Sequence, residues 1–290
     1  MNYPFNPFHP LTKKVMTKNG VFKTQLKNGL TVLLKESHTA PVTTWWVSYR
    51  VGSRDEHTGI TGASHWVEHM MFKGTRRFPP GVLDKVISRC GGHWNAFTSL
   101  DRTIYFETLP SGKIDIGLEL EADRMRHSIF SPKEVESERT VIISERQGSE
   151  NEPEWRLYEQ MLATAFHVHP YRHEILGDMA DLQSMKRDDL YGHYKTYYVP
   201  NNAIAVAVGD FKTKDMLARI RELYESIPGG GAPPRLARPE PEQKGERRLI
   251  VEGDDETPYV GFGYHALSAT DPDFYALVIL DSVLAGASSI

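Results

Sequence analysis

The chain of 290 residues is 40% hydrophobic and 25% charged, which is typical of a globular protein and excludes a disordered one. Its formal net charge of -4 mixes both signs without a basic stripe, so nucleic acid is not an expected partner. No apolar run approaches the roughly 20 residues of a membrane span, and no signal peptide is visible near the start. A single cysteine, Cys90, favours a reducing compartment. The cytoplasm is therefore the expected location, with the periplasm left open.

The first elements in chain order are predicted to be a β-hairpin, a third strand and a helix. Residues 21–26 and 30–35 flank Lys27-Asn28-Gly29, where the Asn-Gly pair favours a tight type I′ turn. Residues 42–51 are rich in Val, Thr, Trp and Tyr and predict a strand. A loop containing glycines then leads into a helix predicted over residues 63–72.

Two extended segments follow a helix that begins at Pro79-Pro80-Gly81 and ends at Gly91-Gly92. They cover residues 93–99 and 103–109 and are dominated by Thr, Phe, Ile and Tyr, which favour strands. The pattern is then mainly helical, with one apolar strand at residues 203–208. The predicted helices cover residues 112–129, 132–147, 154–166, 190–198 and 213–226.

Residues 228–241 form the clearest linker, because proline and glycine dominate this stretch. Beyond it, strands at 248–251 and 259–264 and a helix at 271–284 weakly repeat an earlier strand–loop–helix order. We therefore predict a first domain, a linker and the truncated start of a second homologous domain, at residues 1–227, 228–246 and 247–290. About forty residues cannot bury a core alone, so we expect a fragment or a chain that another polypeptide completes.

The run with the clearest chemical meaning is His65-Trp66-Val67-Glu68-His69. In a helix the two histidines project from one face, at a spacing that lets two imidazoles hold one Zn²⁺. The carboxylate of Glu68 lies next to one histidine and one turn from the other, within reach of a water that the metal would activate. This H-x-x-E-H order reverses the common zinc-protease pattern H-E-x-x-H. The alternative interpretation is a chance grouping on an amphipathic helix.

A zinc hydrolase requires a third protein ligand, and two groups of residues compete for that role. Glu138 and Glu145 lie two helical turns apart on the predicted helix 132–147 and so share a face. The other group consists of His167, His169 and His173 in a loop. Spacing alone does not choose between them.

Residues 62–75, Gly-Ala-Ser-His-Trp-Val-Glu-His-Met-Met-Phe-Lys-Gly-Thr, closely resemble the metal-binding motif of the pitrilysin/insulinase family of zinc peptidases. Residues 91–98, 118–125, 138–145 and 200–202 agree with the same family, and the resemblance covers nearly all of the chain from residue 22. It implies an α+β fold: a mixed, mostly antiparallel sheet flanked by helices (the LuxS/processing-peptidase-like metallohydrolase fold). The beginning of a second homologous domain would follow.

The resemblance also implies roles for individual residues. It makes Glu145, which lies 76 positions beyond His69 (145 − 69), the third Zn²⁺ ligand beside His65 and His69. Glu68 would be the general base, and Glu138 the acid that orients a ligand histidine. Residues 95–98 resemble the family's edge strand, which pairs with an extended peptide. The substrate-binding residues implied are Asn95, Ala96, Phe97 and Phe72.

The implied activity is that of a zinc metalloendopeptidase acting on oligopeptides or unfolded segments. Members of the family close two homologous halves or subunits around the substrate, so a second half or subunit, in a homodimer or heterodimer, is the expected partner. Two alternatives remain open at this point. One is a non-catalytic or partner-dependent subunit of a two-chain processing protease, and the other is a zinc hydrolase that does not cleave peptides.

Overall fold

A seven-stranded sheet organises the computed structural model, which describes residues 15–17, 19–235, 238–254 and 256–285. Its strands are Val15–Met16 (β1), Phe22–Gln25 (β2), Thr31–Glu36 (β3), Val42–Tyr49 (β4), His93–Thr98 (β5), Thr103–Pro110 (β6) and Ala203–Gly209 (β7). They lie in the order β1-β2-β3-β7-β4-β6-β5. Only β3 and β7 pair in parallel among these neighbours. The mixed, mostly antiparallel sheet predicted from the sequence is confirmed.

Most of the predicted helices are present, with shifts of a few residues at their ends. The described helices are Ala63–Met70 (α1), Val82–Arg89 (α2), Asp115–His127 (α3), Pro132–Glu150 (α4), Pro153–Ala165 (α5), Met179–Ser184 (α6), Arg187–Tyr197 (α7), Thr213–Tyr224 (α8) and Phe274–Ala285 (α9). The sequence did not predict α6, because a helix of six residues is too short to show an apolar period.

Strand β4 separates the core from the outer face of the sheet. Trp45, Val47 and Tyr49 are fully buried under the helices, whereas Trp46 lies half-buried on the other face, as the two-residue period of a strand requires. Helix α1 lies in this core, packed between α4 and α7 and against β5. Because Trp66 and its apolar neighbours fill the core, the histidine-bearing face of α1 is directed towards α4.

The turn between β2 and β3 differs from the predicted type I′ turn. Gly29 has a φ of +92°, but Asn28 does not adopt the positive φ that a type I′ turn also needs. The loop contains three residues, Lys27-Asn28-Gly29, closed by hydrogen bonds from Gly29 N–H to the Leu26 carbonyl and from Leu26 N–H to the Leu30 carbonyl. The Asn28 side chain instead donates to two carbonyls at the end of α8, Tyr224 and Ile227, at 2.7 and 3.0 Å.

The Pro/Gly-rich stretch that composition predicts as a linker is fixed to the sheet domain. Gly230 N–H donates to Asn201 Oδ1 at 2.8 Å, and Arg235 forms an ion pair with buried Asp55 at 3.1 Å. The Glu240 carboxylate accepts the backbone N–H groups of residues 167–169 at 2.8 to 2.9 Å. Burial opposes the effect, but these hydrogen bonds lower the pKa of Glu240 to about 2.

The predicted strands at 248–251 and 259–264 are wrong for the described residues, which form no strand pairing there. A strand needs a partner for its backbone N–H and C=O groups, and the described residues offer none at this place. Helix α9 is present, yet none of its described side chains is buried. Among the described residues, no helix combines the length and apolar character that crossing a bilayer would require.

Candidate metal centre

Helix α1 and helix α4 bring three side chains to one point. The Nε2 atoms of His65 and His69 each lie 3.7 Å from Oε2 of Glu145, and the rings of the two histidines are 4.6 Å apart. One ligand atom from each of the three residues falls within 4.8 Å of the others. His65 is buried, whereas the Glu145 side chain is 44% exposed. The three side chains therefore meet with Glu145 on the solvent side.

The residues present fit a zinc ion. Two histidines and a glutamate form a common donor set of catalytic zinc sites, and bonds of about 2.0–2.1 Å at tetrahedral angles separate ligand atoms by roughly 3.4 Å. The observed 3.7 Å between each histidine nitrogen and Glu145 is close to that separation. Burial, helped by the charge of His69, lowers the pKa of His65 to about 3. His65 is thus the neutral imidazole that a metal requires.

Glu138 holds the ring of His69 from the side opposite to Glu145. Its Oε1 lies 2.9 Å from Nδ1 of His69, and its other oxygen forms an ion pair with Lys73. Burial raises the pKa of Glu138, but the hydrogen bonds from His69 and Lys73 outweigh it, so the net shift is downward. The carboxylate therefore stays charged and leaves Nε2 of His69 directed at the metal position. His65 Nδ1 has no such partner among the described residues, so packing orients that ring.

The role of the Glu138–His69 contact can be tested by the zinc affinity of a Glu138 variant. In Glu138→Gln the amide is uncharged, so it orients the imidazole less strongly and leaves Lys73 unpaired. We expect zinc to bind about 10- to 100-fold more weakly. Competition with a chromophoric chelator measures the change, and Glu134→Gln, on the same helix, is the matched control. Unchanged zinc affinity in Glu138→Gln would contradict this role.

Glu68 lies beside the metal group without belonging to it. Its side chain is 8% exposed, and Oε2 accepts a hydrogen bond from Thr98 Oγ1 at 2.5 Å. Burial raises its pKa, while the hydrogen bond from Thr98 and the charge of His69 oppose the rise. A carboxylate with a raised pKa next to a metal position is suited to take up a proton and release it again.

Strand β5 is the edge of the sheet beside α1, as the family resemblance of residues 95–98 implies. It pairs with β6 on one side, and the described residues provide no strand on the other. Asn95 is exposed, and its Oδ1 accepts the backbone N–H of Ala96 at 2.9 Å. The edge can therefore accept one further strand from solvent.

The two phenylalanines expected at the substrate site lie on opposite faces of the sheet. Phe72 packs against Trp94 and Tyr105, with ring centroids 4.7 and 6.2 Å apart, on the face that carries Glu68. Phe97 is 39% exposed and meets Trp46 on the outer face. Because neighbouring side chains of a strand alternate and Thr98 contacts Glu68, the side chain of Phe97 is directed away from the metal. The structure thus brings Phe72, and not Phe97, to the metal side.

A fully buried ion cluster supports the position of Phe72. Arg124 forms ion pairs with Glu107, at 3.2 Å, and with Glu121. Its guanidinium lies 4.5 Å from the ring centre of Tyr105 and 5.3 Å from that of Phe72. A charge that is paired and enclosed by aromatic rings has little freedom to move, so this cluster is a rigid base for Phe72.

The competing histidines do not form a second metal group. Among the residues that the structure describes, His65, His69 and Glu145 are the only set of three suitable side chains that converge. His169 Nδ1 accepts the N–H of Tyr171 at 3.2 Å, and His173 lies 3.7 Å from Asp178. Two buried acids, Glu56 and Asp181, accept hydrogen bonds from the chain just before α1, and neither was identified from the sequence. No local pattern identified them, because Asp181 is 120 positions from the N–H group of Thr61 that it accepts.

A two-histidine, one-glutamate donor set with a buried acid beside it defines the class of metallohydrolase centres that keep a coordination position free. The chain belongs to the insulinase family of peptidases. The family model "Insulinase (Peptidase family M16)" matches residues 31–179, which include the whole converging group. A second model, "Peptidase M16 inactive domain", matches residues 184–290.

Similar proteins carry protease names. Zinc protease PqqE of Helicobacter pylori is 34% identical over 269 residues, which cover 91% of this chain and 61% of that protein. A probable mitochondrial-processing peptidase subunit beta of Arabidopsis thaliana is 31% identical over 266 residues, with 90% and 50% covered. The crystal structure of a protease from Helicobacter pylori matches with a TM-score of 0.75 at 35% identity, covering 78% of this chain and 55% of that one. The chain spans about half to three fifths of the length of these curated relatives.

Proposed function

We propose that this chain is the metal-binding half of a zinc metalloendopeptidase. The observation that carries the proposal is the convergence of His65, His69 and Glu145 within 4.8 Å, with buried Glu68 beside them. The zinc protease names of its relatives support the choice of metal. In this proposal the three converging residues hold Zn²⁺, and Glu138 orients His69.

Each residue then has a defined task in hydrolysis. When bound, Zn²⁺ would supply Lewis acidity that activates a water and polarises the scissile carbonyl. Glu68 takes the proton of the attacking water as general base and later delivers it to the leaving amine. The hydroxyl of Thr98 keeps the Glu68 carboxylate in place by donating to Oε2.

The substrate is proposed to be an extended peptide that pairs with β5. The free edge of this strand offers backbone N–H and C=O groups to any sequence, while pockets beside it select side chains. Asn95 and Ala96 lie on that edge, and Phe72 lies on the metal side, where an apolar substrate side chain would meet it. Phe97 faces the outer surface and would contact only a substrate or partner that extends over that face.

A second half or subunit is the proposed partner. The described residues of α9 carry a nearly continuous apolar surface, with Tyr275, Ile279 and Leu284 exposed by 66% or more. The outer sheet face adds Phe97 and Val208, exposed by 39% and 36%. Apolar surfaces of this kind mark sites that another protein surface covers. The relatives include subunits of processing peptidases, and the division at residues 228–246 stays our proposal for the boundary between the halves.

An assay on a quenched fluorescent peptide tests the proposal. We expect hydrolysis that EDTA abolishes and one equivalent of Zn²⁺ restores, because the donor set holds a single ion. Hydrolysis that survives complete metal removal would contradict the mechanism. Zinc binding without hydrolysis by the chain alone would favour the partner-dependent alternative, in which the second half completes the site.

A further inference from the structure

Residues 177–185, which contain α6, contact both the start of α1 and helix α4, the two helices that carry His65, His69 and Glu145. We call these residues the clamp segment. On one side, Asp181 accepts three hydrogen bonds at Oδ2 from the loop that leads into α1. The donors are Gly59 N–H at 2.9 Å, Thr61 N–H at 3.0 Å and Thr61 Oγ1 at 2.7 Å. The Thr61 hydroxyl oxygen in turn accepts the N–H of Asp178 at 2.8 Å. Asp181 is 8% exposed, so water competes little for these bonds.

The backbones of the two segments also touch directly. Gly62, the residue before α1, has a φ of +86°, and a Cβ there would lie 2.6 Å from the carbonyl oxygen of Leu176. Gly177 has a φ of +80°, and its Cβ would lie 2.3 Å from the carbonyl oxygen of Thr61. A side chain at either position would push the two backbone segments apart. The residues before α1 and the start of the clamp segment therefore pack directly, backbone against backbone.

On its other side the clamp segment is held by α4. Arg146 Nη1 donates to the Gly177 carbonyl at 2.5 Å, and Arg139 Nη2 donates to the Met185 carbonyl at 2.8 Å. These two arginines directly follow Glu138 and Glu145 in the sequence. Successive helical residues point about 100° apart, so the acids of α4 face the histidines while the arginines face the clamp segment. The contacts therefore fix how α4 is rotated about its own axis.

The rotation of α4 matters because little else positions Glu145. Its side chain is 44% exposed, and within the described part of the chain no hydrogen bond or ion pair other than those with the two histidines holds its carboxylate. The location of the carboxylate then depends on where α4 places its backbone. Besides the direct packing of α4 against α1, the clamp segment joins that backbone to the start of α1 through buried polar contacts.

We propose that the clamp segment sets the distance between the histidine pair and Glu145, and that Asp181 is a positioning residue for the metal centre. The inference rests on the ligand set proposed above. Asp181 touches neither metal nor substrate. It acts by holding the start of α1, while Arg139 and Arg146 hold α4 to the same segment.

A thermodynamic cycle of zinc affinities tests the clamp. Asp181→Asn keeps the shape of the side chain but loses the charge that three donors share, so we expect zinc to bind about tenfold more weakly. The same substitution in a Glu145→Ala background should change the affinity less than twofold, because the ligand that the clamp positions is already absent. Asp188→Asn, at an 89% exposed aspartate, is the matched control. Zinc dissociation constants are measured by chelator competition, with circular dichroism to verify folding.

Each outcome decides between the clamp and the ligand set. An equal loss of zinc affinity in both backgrounds would show that Asp181 only stabilises α1 and would overturn the clamp. The clamp is also overturned if Asp181→Asn and Asp188→Asn bind zinc equally well. If Glu145→Ala alone leaves zinc affinity unchanged, the ligand set itself fails. Should Asp181→Asn not fold, Thr61→Val removes only the hydroxyl contacts of the same network, and the same cycle applies with an expected loss of at least threefold. The Co²⁺-substituted protein gives a second readout, because its d–d spectrum changes when the third ligand moves.

Discussion

Glutamine in place of Glu68 is expected to leave zinc binding intact and to lower kcat/KM for peptide hydrolysis by about 10²- to 10⁴-fold, the usual contribution of general acid–base catalysis. The amide has the shape of the carboxylate and its oxygen still accepts from Thr98 Oγ1. It cannot take a proton from water. Because Glu68 lies outside the converging group, zinc stoichiometry should remain that of the native protein.

The pH dependence of hydrolysis provides a second test of Glu68. Burial raises the pKa of Glu68 above the ordinary value of a glutamate. The base must be deprotonated to act, so activity is present above that raised pKa and is lost as the pH falls through it. We expect the kcat/KM profile to show an acid limb that belongs to Glu68 and that disappears from the residual activity of Glu68→Gln.

The matched control is Glu222→Gln, which changes a 69% exposed glutamate on α8. It should have native activity and native zinc content. Full activity in Glu68→Gln would remove Glu68 from the mechanism. Loss of zinc in that variant would instead make Glu68 a metal ligand.

Helix α1 and the strands around it were predictable because the sequence patterns that indicate them are local. A four-residue spacing of His65 and His69 needs only a helix to place both rings on one face, and Trp66, Val67 and Met70 show which face is buried. The strands β5 and β6 follow from aromatic and β-branched residues on either side of a short turn. Composition and spacing were sufficient at these places.

The third ligand was not predictable from the residues alone. Glu145 and His69 come together because α4 packs against α1, and spacing left Glu145, Glu138 and the loop histidines as alternatives. Only the resemblance to a known family separated them. The structure then places Glu138 at Nδ1 of His69 and Glu145 near Nε2, the two nitrogens on different sides of the same ring.

Other features of the structure depend on contacts between distant parts of the chain. Residues 228–246 have the composition of a free linker, yet Arg235 reaches Asp55, which is 180 positions away, and Glu240 binds backbone N–H groups more than 70 positions away. Residues 259–264 have the alternation of a strand, but a strand also needs a neighbour that the local sequence does not reveal. The same reason hid the clamp segment, whose bonds reach the loop before α1 and helix α4.

Removal of a single metal ligand is the prediction that tests the centre most directly. Structural zinc sites with four ligands bind with about 10–16 kcal/mol, so each ligand carries about 2.5–4 kcal/mol. Glu145→Ala should therefore weaken zinc binding on the order of 10²- to 10³-fold. His65→Ala and His69→Ala should have at least this effect, measured as dissociation constants by chelator competition.

Glu145→Ala is the most informative of the three variants because it separates metal loss from unfolding. His65 is buried in the core, so its removal also leaves a cavity and lowers the Tm of the metal-free protein. Glu145 is 44% exposed, so the metal-free Tm should hardly change. His167→Ala is the control, because it removes an exposed histidine of the competing loop. Undiminished zinc affinity in Glu145→Ala, together with a loss in His167→Ala, would move the third ligand to that loop.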